Sequence, residues 1–165
     1  MPTDWFCIRP GEPRDLPAVV ELIRGLAEFE RLPGPTDEEA ARFAEHFRAR
    51  YFDLLVADEA GEPGGALVGY ALFFMNYSTF RVRPSLFLED LYVRPASRSR
   101  GLGGALMRRL AAVAVERGCA RFEWTVLDWN VRAQSFYRSL GARLLPEWRI
   151  CRVDGDDLPQ LAARP

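Results

Sequence analysis

Three short stretches of this chain carry residue types that could do chemistry together. Glu89 and Asp90 are adjacent carboxylates inside an otherwise apolar run, Leu86 to Val93. Five residues later comes Arg98-Ser99-Arg100-Gly101-Leu102-Gly103-Gly104. A glycine-rich turn that opens a helix presents unpaired N–H groups and the positive end of the helix dipole, which suits a pyrophosphate. Gly101 and Gly103 let the backbone approach such a ligand without a Cβ in the way. Arg98 and Arg100 add positive charge that can meet phosphate oxygens bidentately. The same segment also reads as a plain helix entry with solvated arginines. The third stretch runs from Asp128 through Asn130 to Tyr137 and Gly141. Asn130 suits an N-cap, and Tyr137, almost two turns on, lies on the same helix face.

A dinucleotide site is the rival reading of the glycine turn, and it fails twice. The third glycine of that fingerprint would fall at Leu106, and residues 94–100 separate the strand end from Gly101 where the fingerprint allows no such gap. Other chemistries are removed by composition. Every basic residue is Arg, so a lysine Schiff base and a phosphate loop ending in Lys-Ser/Thr are excluded. His46 is the sole histidine, which leaves no multi-histidine metal site and no ordinary Ser-His or Cys-His couple. No metal is expected. Cys7, Cys119 and Cys151 are odd in number and widely spaced, as expected of reduced thiols in a cytoplasmic protein. With 22 basic against 23 acidic residues, net charge gives no case for nucleic acid or membrane binding. The first ten residues show no secretion signal, and the most apolar run, Ala66–Met75, is about half a membrane span.

The elements that must position these residues alternate. Trp5–Arg9 reads as a strand, ended by Pro10-Gly11. Asp15 caps a helix with Pro17 in its first turn and an apolar face of Val19, Val20, Ile23, Leu26 and Ala27. Thr36 and Glu39 have the capping-box spacing for a second helix. Strands follow at Phe52–Ala57 and Ala66–Met75 around a Gly61–Gly65 turn, then at Leu86–Val93. Leu102–Arg117 is a helix, Ala120–Leu127 a strand, and Val131–Leu140 a helix stopped by Gly141. Ala142–Leu145 and Trp148–Val153 read as a closing hairpin. The order predicts one α/β domain over residues 1–165. If the strands before and after Leu102–Arg117 are parallel neighbours, both following helices begin at the same sheet edge, where ligands of open α/β folds collect.

The R-x-x-G-x-G-G run at 98–104, between a strand and a helix, resembles the acetyl-CoA signature of the GNAT N-acetyltransferases. The N-x-x-A-x-x-x-Y-x-x-x-G-A run at 130–142 resembles that superfamily's second CoA-side motif. Ile8-Arg9-Pro10, Leu26-Ala27-Glu28-Phe29-Glu30, Leu88-Glu89-Asp90 and Asp128-Trp129-Asn130 resemble the spermidine/spermine (diamine) acetyltransferase group. Tyr77-Ser78-Thr79-Phe80 and Val126 to Asn130 are most similar to its thialysine acetyltransferase branch. The resemblance covers nearly the whole chain and implies the GNAT fold, a mixed, strongly twisted sheet flanked by helices.

It also implies roles. Acetyl-CoA would be the co-substrate, with Leu91, Tyr92 and Val93 holding the pantetheine and thioester oxygen. The turn from Arg98 through Ser99, Arg100, Gly101, Leu102, Gly103 and Gly104, with Asn130 and Ala133, would complete its site. Glu89 would accept the proton of the amine, directly or through water, and Tyr137 would protonate the departing thiolate. Transfer would be direct. Phe29, Glu30, Ser78, Phe80, Asp90, Glu123, Trp124, Asp128 and Glu147 would line a cationic amine, since acids and ring faces both attract positive charge. The polyamine branch has Asp and Trp where this chain has Ser78 and Phe80, so the expected acceptor is a thialysine- or lysine-like amine. The family is homodimeric, and the expected protein is a homodimer. Two other readings share the cofactor: a non-catalytic CoA-binding regulatory module and a protein N-acetyltransferase.

Overall fold

The computed structural model describes residues 5–59 and 65–165; all but Gly65 of the expected Gly61–Gly65 turn lies outside them. The chain divides into two compact units, Met1–Thr125 and Val126–Pro165.

The first unit is a five-stranded sheet in the order β1-β2-β3-β4-β5: Phe6–Pro10, Asp53–Glu59, Leu67–Ser78, Arg83–Val93 and Phe122–Trp124. β1 to β4 form an antiparallel meander, and β5 joins β4 in parallel after a helical crossover. Helices α1 (Leu16–Glu30) and α2 (Asp37–Arg48) lie between β1 and β2 in sequence, and α3 (Leu102–Glu116) between β4 and β5. α2 begins as its sequence predicts: the Thr36 hydroxyl accepts from Glu39 N–H, and the Glu39 carboxylate accepts from Thr36 N–H. A 3-10 turn at Pro13–Asp15 precedes α1.

Strand alternation sorts the core into two layers. Leu54, Val56, Tyr70, Leu72 and Tyr92 pack with Leu16, Val19 and Leu22 of α1, and Phe43 and Phe47 of α2 close over them. The neighbouring positions Leu55, Ala57, Ala71 and Phe73 are buried on the other face. That face carries α3: a Cβ on Gly69 would lie 3.3 Å from Leu102 Cδ2. Arg9 locks the first layer's edge. Its guanidinium grips Asp15 at 2.7 and 2.9 Å and Asp58 at 2.7 and 3.1 Å, tying β1, the turn before α1, and β2 together.

β4 contains one irregularity that shapes everything near its end. Leu88 pairs with Phe73 and Asp90 with Leu72, so Glu89 is an extra residue with no partner on β3. Such a bulge shifts the alternation by one. Leu88 therefore shares the face of Phe73, whereas Asp90 shares the face of Leu72 and looks toward α1. Spacing in the sequence carries the same mark: the apolar positions Leu86, Leu88, Leu91 and Val93 skip a step across the two acids. β5 ends where the bulge begins. Its last residue, Trp124, pairs with Leu88, so the strand is shorter than the Ala120–Leu127 expected.

In the second unit, α4 spans Val131–Ser139 and α5 spans Asp157–Ala162. Gly141 adopts φ +90°, and Ala142 N–H donates to Tyr137 O, as expected for a left-handed helix stop. The expected hairpin of Ala142–Leu145 and Trp148–Val153 is not formed. Pro146 offers no donor, and the one backbone bond given there, Trp148 N–H to Leu145 O at 3.2 Å, closes a turn instead of starting a ladder. A two-stranded ribbon has little stability without a third strand. No described helix is long and apolar enough to cross a membrane.

Candidate active site

Beyond Leu88, the β4 edge that β5 covers lower down has no strand on it among the described residues. Arg94 N–H donates to Val68 O, so Tyr92, two residues back, also turns its backbone toward β3. Leu91 and Val93 turn theirs the other way. Of the three residues expected to hold a thioester through backbone N–H groups, the structure directs two outward and spends the third on the sheet.

The turn after β4 is rigid for reasons of its own. Arg98 donates from Nε to Val93 O at 2.8 Å, and its guanidinium lies 5.3 Å from the Tyr92 ring and 5.4 Å from the Phe29 ring. The chain thus anchors a guanidinium that was expected to serve phosphate oxygens alone. Arg100 sits over the Trp5 indole at 3.7 Å, and Trp5 Nε1–H donates to Arg100 O at 3.2 Å. Trp5 is a support that sequence reading missed, because β1 is 95 residues away from the turn. Ser99 and Gly101 both take left-handed backbone, at φ +61° and +88°. Alternation of this kind curls successive N–H groups toward one side, a shape that holds anions. Gly101 is the N-cap of α3, and no side chain caps that helix among the described residues. The N–H groups of Leu102, Gly103 and Gly104 are accordingly left for a ligand. This donor set fits a pyrophosphate.

Carboxylates gather on the other side of β4. Asp90 is half-buried, and the Tyr70 hydroxyl donates to its Oδ2 at 3.1 Å. Its pKa is raised to about 6: burial raises it most, the Tyr70 hydrogen bond lowers it, and the charges of Glu89 and Glu30 raise it. No cation pairs with Asp90 among the described residues. Glu30 closes α1, next to Phe29, which is 43% exposed. Glu89 is exposed on the bulge. Glu123 is held at 2.9 Å by Arg121, and Trp124 packs on Phe122 with ring centroids 4.7 Å apart. The structure thus gathers Phe29, Glu30, Glu89, Asp90 and Arg98 in one region. It does not bring Ser78 and Phe80 there. Ser78 is buried, accepting from Arg81 N–H at the tip of the β3–β4 hairpin, and Phe80 beside it is 96% exposed. β4 leaves the tip at Arg83, six residues from Glu89, or about 20 Å along an extended strand.

In the second unit, Asn130 Oδ1 accepts from Ala133 N–H at 3.1 Å and caps α4. The Ala133 N–H is therefore committed to the cap. Tyr137 is half-buried, and burial raises its pKa, so the phenol keeps its proton at neutral pH. Asp128 and Glu147 are exposed; the Asp128 carbonyl accepts from Gln134 Nε2 at 2.8 Å.

A meander joined to a parallel crossover, with a turn suited to a pyrophosphate after a bulged strand, is an α/β fold with a diphosphate-binding helix entry. The chain belongs to the acetyltransferase (GNAT) family, whose model matches residues 16–142. It is 37% identical to the thialysine N-epsilon-acetyltransferase of Bos taurus, over 97% of this chain and 99% of that protein. It is 31% identical to an L-ornithine N5-acetyltransferase of Arabidopsis thaliana, covering 92% and 85%. Among solved structures, an integron cassette protein from the mobile metagenome of V. cholerae superposes with a TM-score of 0.81 at 23% identity, covering 96% and 98%; this likeness concerns the fold. The protein is an acetyl-CoA-dependent acetyltransferase acting on an amine, with acetyl-CoA as co-substrate.

Proposed function

We propose that this enzyme acetylates the side-chain amine of a small diamino acid, of the thialysine, lysine or ornithine class, in preference to a polyamine. The observation that carries the reading is Asp90: a half-buried carboxylate beside Glu30 and Glu89, with a neutral hydroxyl as its partner and no cation. Buried carboxylates are stable when a positive charge meets them, and a substrate ammonium supplies one. The names borne by relatives from Bos taurus and Arabidopsis thaliana support the small acceptor.

When bound, acetyl-CoA supplies an acyl group already activated as a thioester. The α3 entry, Arg98–Gly104, holds its pyrophosphate, with Arg100 contributing charge. The outward N–H groups of Leu91 and Val93 hold the chain leading to the thioester and steady the oxygen that gains negative charge, a contribution worth about 3–4 kcal/mol. Glu89, exposed on the bulge, takes the proton that the ammonium must lose, directly or through water. Tyr137 gives a proton to the sulfur. Asn130 fixes the start of the helix that carries it. Phe29, Glu30 and Asp90 face the amine. In this reading the chain works as one domain over residues 1–165, in the cytoplasm and as a homodimer, without nucleic acid or membrane partners.

A panel of amines offered with acetyl-CoA, followed by release of free thiol, tests the assignment. Lysine-like amines should give higher kcat/KM than spermidine in direct competition. Preferential acetylation of spermidine would return the enzyme to the polyamine group.

A further inference from the structure

We propose that Tyr70 is a positioning residue for the acceptor amine: its hydroxyl fixes Asp90 as an ionised, oriented carboxylate facing the substrate ammonium. The inference rests on the reading of Asp90 given above and extends it to a residue in the core.

Tyr70 has no exposure at all, and a buried phenol needs a partner for its O–H. Its neighbours in the core are apolar, Leu72 and Val56 on the sheet and Leu22 on α1, so its one polar outlet matters. Directly across on β4 stands Tyr92; Asp90, two residues before it in unbroken register, is the diagonal neighbour on the same face. The 3.1 Å bond occupies Oδ2 and leaves Oδ1 with free acceptor capacity.

Among the described residues, the groups that act on Asp90 are neutral or negative: Tyr70 on β3, Glu89 on β4 and Glu30 at the end of α1. The Arg98 guanidinium lies against the Tyr92 and Phe29 rings, 5.3 and 5.4 Å from their centroids, and forms no ion pair with Asp90 among the described residues. Burial and the two glutamates favour the protonated acid, whereas the Tyr70 hydroxyl favours the carboxylate. A protonated Asp90 has no charge to offer an ammonium. Tyr70 therefore keeps the site competent toward the acid side of neutrality.

The test is Tyr70→Phe, which keeps the ring and removes the donor. In the wild type, kcat/KM for a lysine-like amine should fall on the acid side with an apparent pKa near that of Asp90, about 6. In Tyr70→Phe this limb should move up by about one pH unit, a roughly 5-fold loss at pH 6 that approaches about 10-fold below pH 5 and fades above pH 8. The kcat at saturating amine should hardly change. A purely structural role would instead depress kcat/KM by the same factor at every pH, and that outcome overturns the proposal. A second measurement does not depend on turnover: carbon-13 NMR titration of the Asp90 carboxyl, assigned with Asp90→Asn. Its midpoint must rise in Tyr70→Phe, and an unmoved midpoint also overturns the proposal. Should Tyr70→Phe fail to fold, the full chain carrying 3-fluorotyrosine takes its place; the more acidic hydroxyl must then lower the Asp90 midpoint, and no change overturns the proposal. If the wild type acetylates no small diamino acid while the carboxyl midpoint shifts as expected, the acceptor reading fails and the Tyr70–Asp90 pairing stands.

Discussion

The guanidinium of Arg98 lies 5.4 Å from the centroid of the Phe29 ring, which joins the turn before α3 to the last turn of α1. One of these segments carries the donors for a pyrophosphate, and the other ends in Glu30, beside the carboxylates proposed to meet the amine. The two binding events should therefore be linked. Phe29→Leu removes a ring–cation contact worth about 0.5–2 kcal/mol. Acetyl-CoA affinity should fall several-fold even though Phe29 is outside the turn. Arg98→Lys should also weaken it, since an ammonium neither stacks in a planar fashion nor keeps the Nε bond to Val93. Isothermal titration of both variants and the double variant checks this; strictly additive losses would mean that the contact couples nothing.

Glu89→Gln should lower kcat/KM by about 100-fold or more near neutral pH, the usual scale for a lost general base. Gln keeps the shape of the bulge, so folding should be intact. Activity should recover in part as rising pH strips the proton from the amine in solution. A pH profile parallel to that of the wild type would remove Glu89 from the proton path.

Tyr137→Phe should cut kcat with little effect on the KM for the amine, because a proton given to sulfur matters only as the thiolate leaves. Burial already holds the phenol in its protonated form. Activity of the wild type should therefore show no alkaline loss from this group near pH 8. Unchanged single-turnover rates in Tyr137→Phe would point to another donor.

The Arg9 clamp predicts acid sensitivity. Hydrogen bonding to Arg9 holds the Asp15 carboxyl below its ordinary range, outweighing its burial. A depressed folded-state pKa contributes stability that is complete above the unfolded value, near 4, and is lost as pH falls through the folded one. Asp15→Asn should lower Tm at pH 7 and flatten its fall below pH 4. Asp58→Asn, which strands half of a buried guanidinium, should cost about 3–5 kcal/mol. Thermal melts from pH 7 to pH 3 measure both.

Much of this was legible in the sequence because the signals were local. The Thr36–Glu39 box, the Asn130 cap, Gly101 at the entry of α3 and Gly141 after α4 each need only a few neighbouring residues to satisfy backbone groups. The acetyltransferase family followed from two such runs, at 98–104 and 130–142, and from the acids at 89 and 90. What local pattern could not decide was which groups meet across the sheet. Phe29, Tyr92 and Val93 take hold of Arg98 only because α1 lies over β4, and Trp5 reaches Arg100 only because β1 returns to that end. The expected hairpin at 142–153 had strand-like composition but no third strand to complete it. Ser78 and Phe80 resembled substrate residues by position in the chain, yet the length of β4 puts them far from Glu89. The bulge at Glu89 stands between the two cases. Its mark is present in the spacing of Leu88 and Leu91, but its consequence is that Leu88 and Asp90 fall on opposite faces, with Asp90 on the face of Tyr70. That depends on register, and register is set by the pairing of whole strands and by the helix that must cover one face.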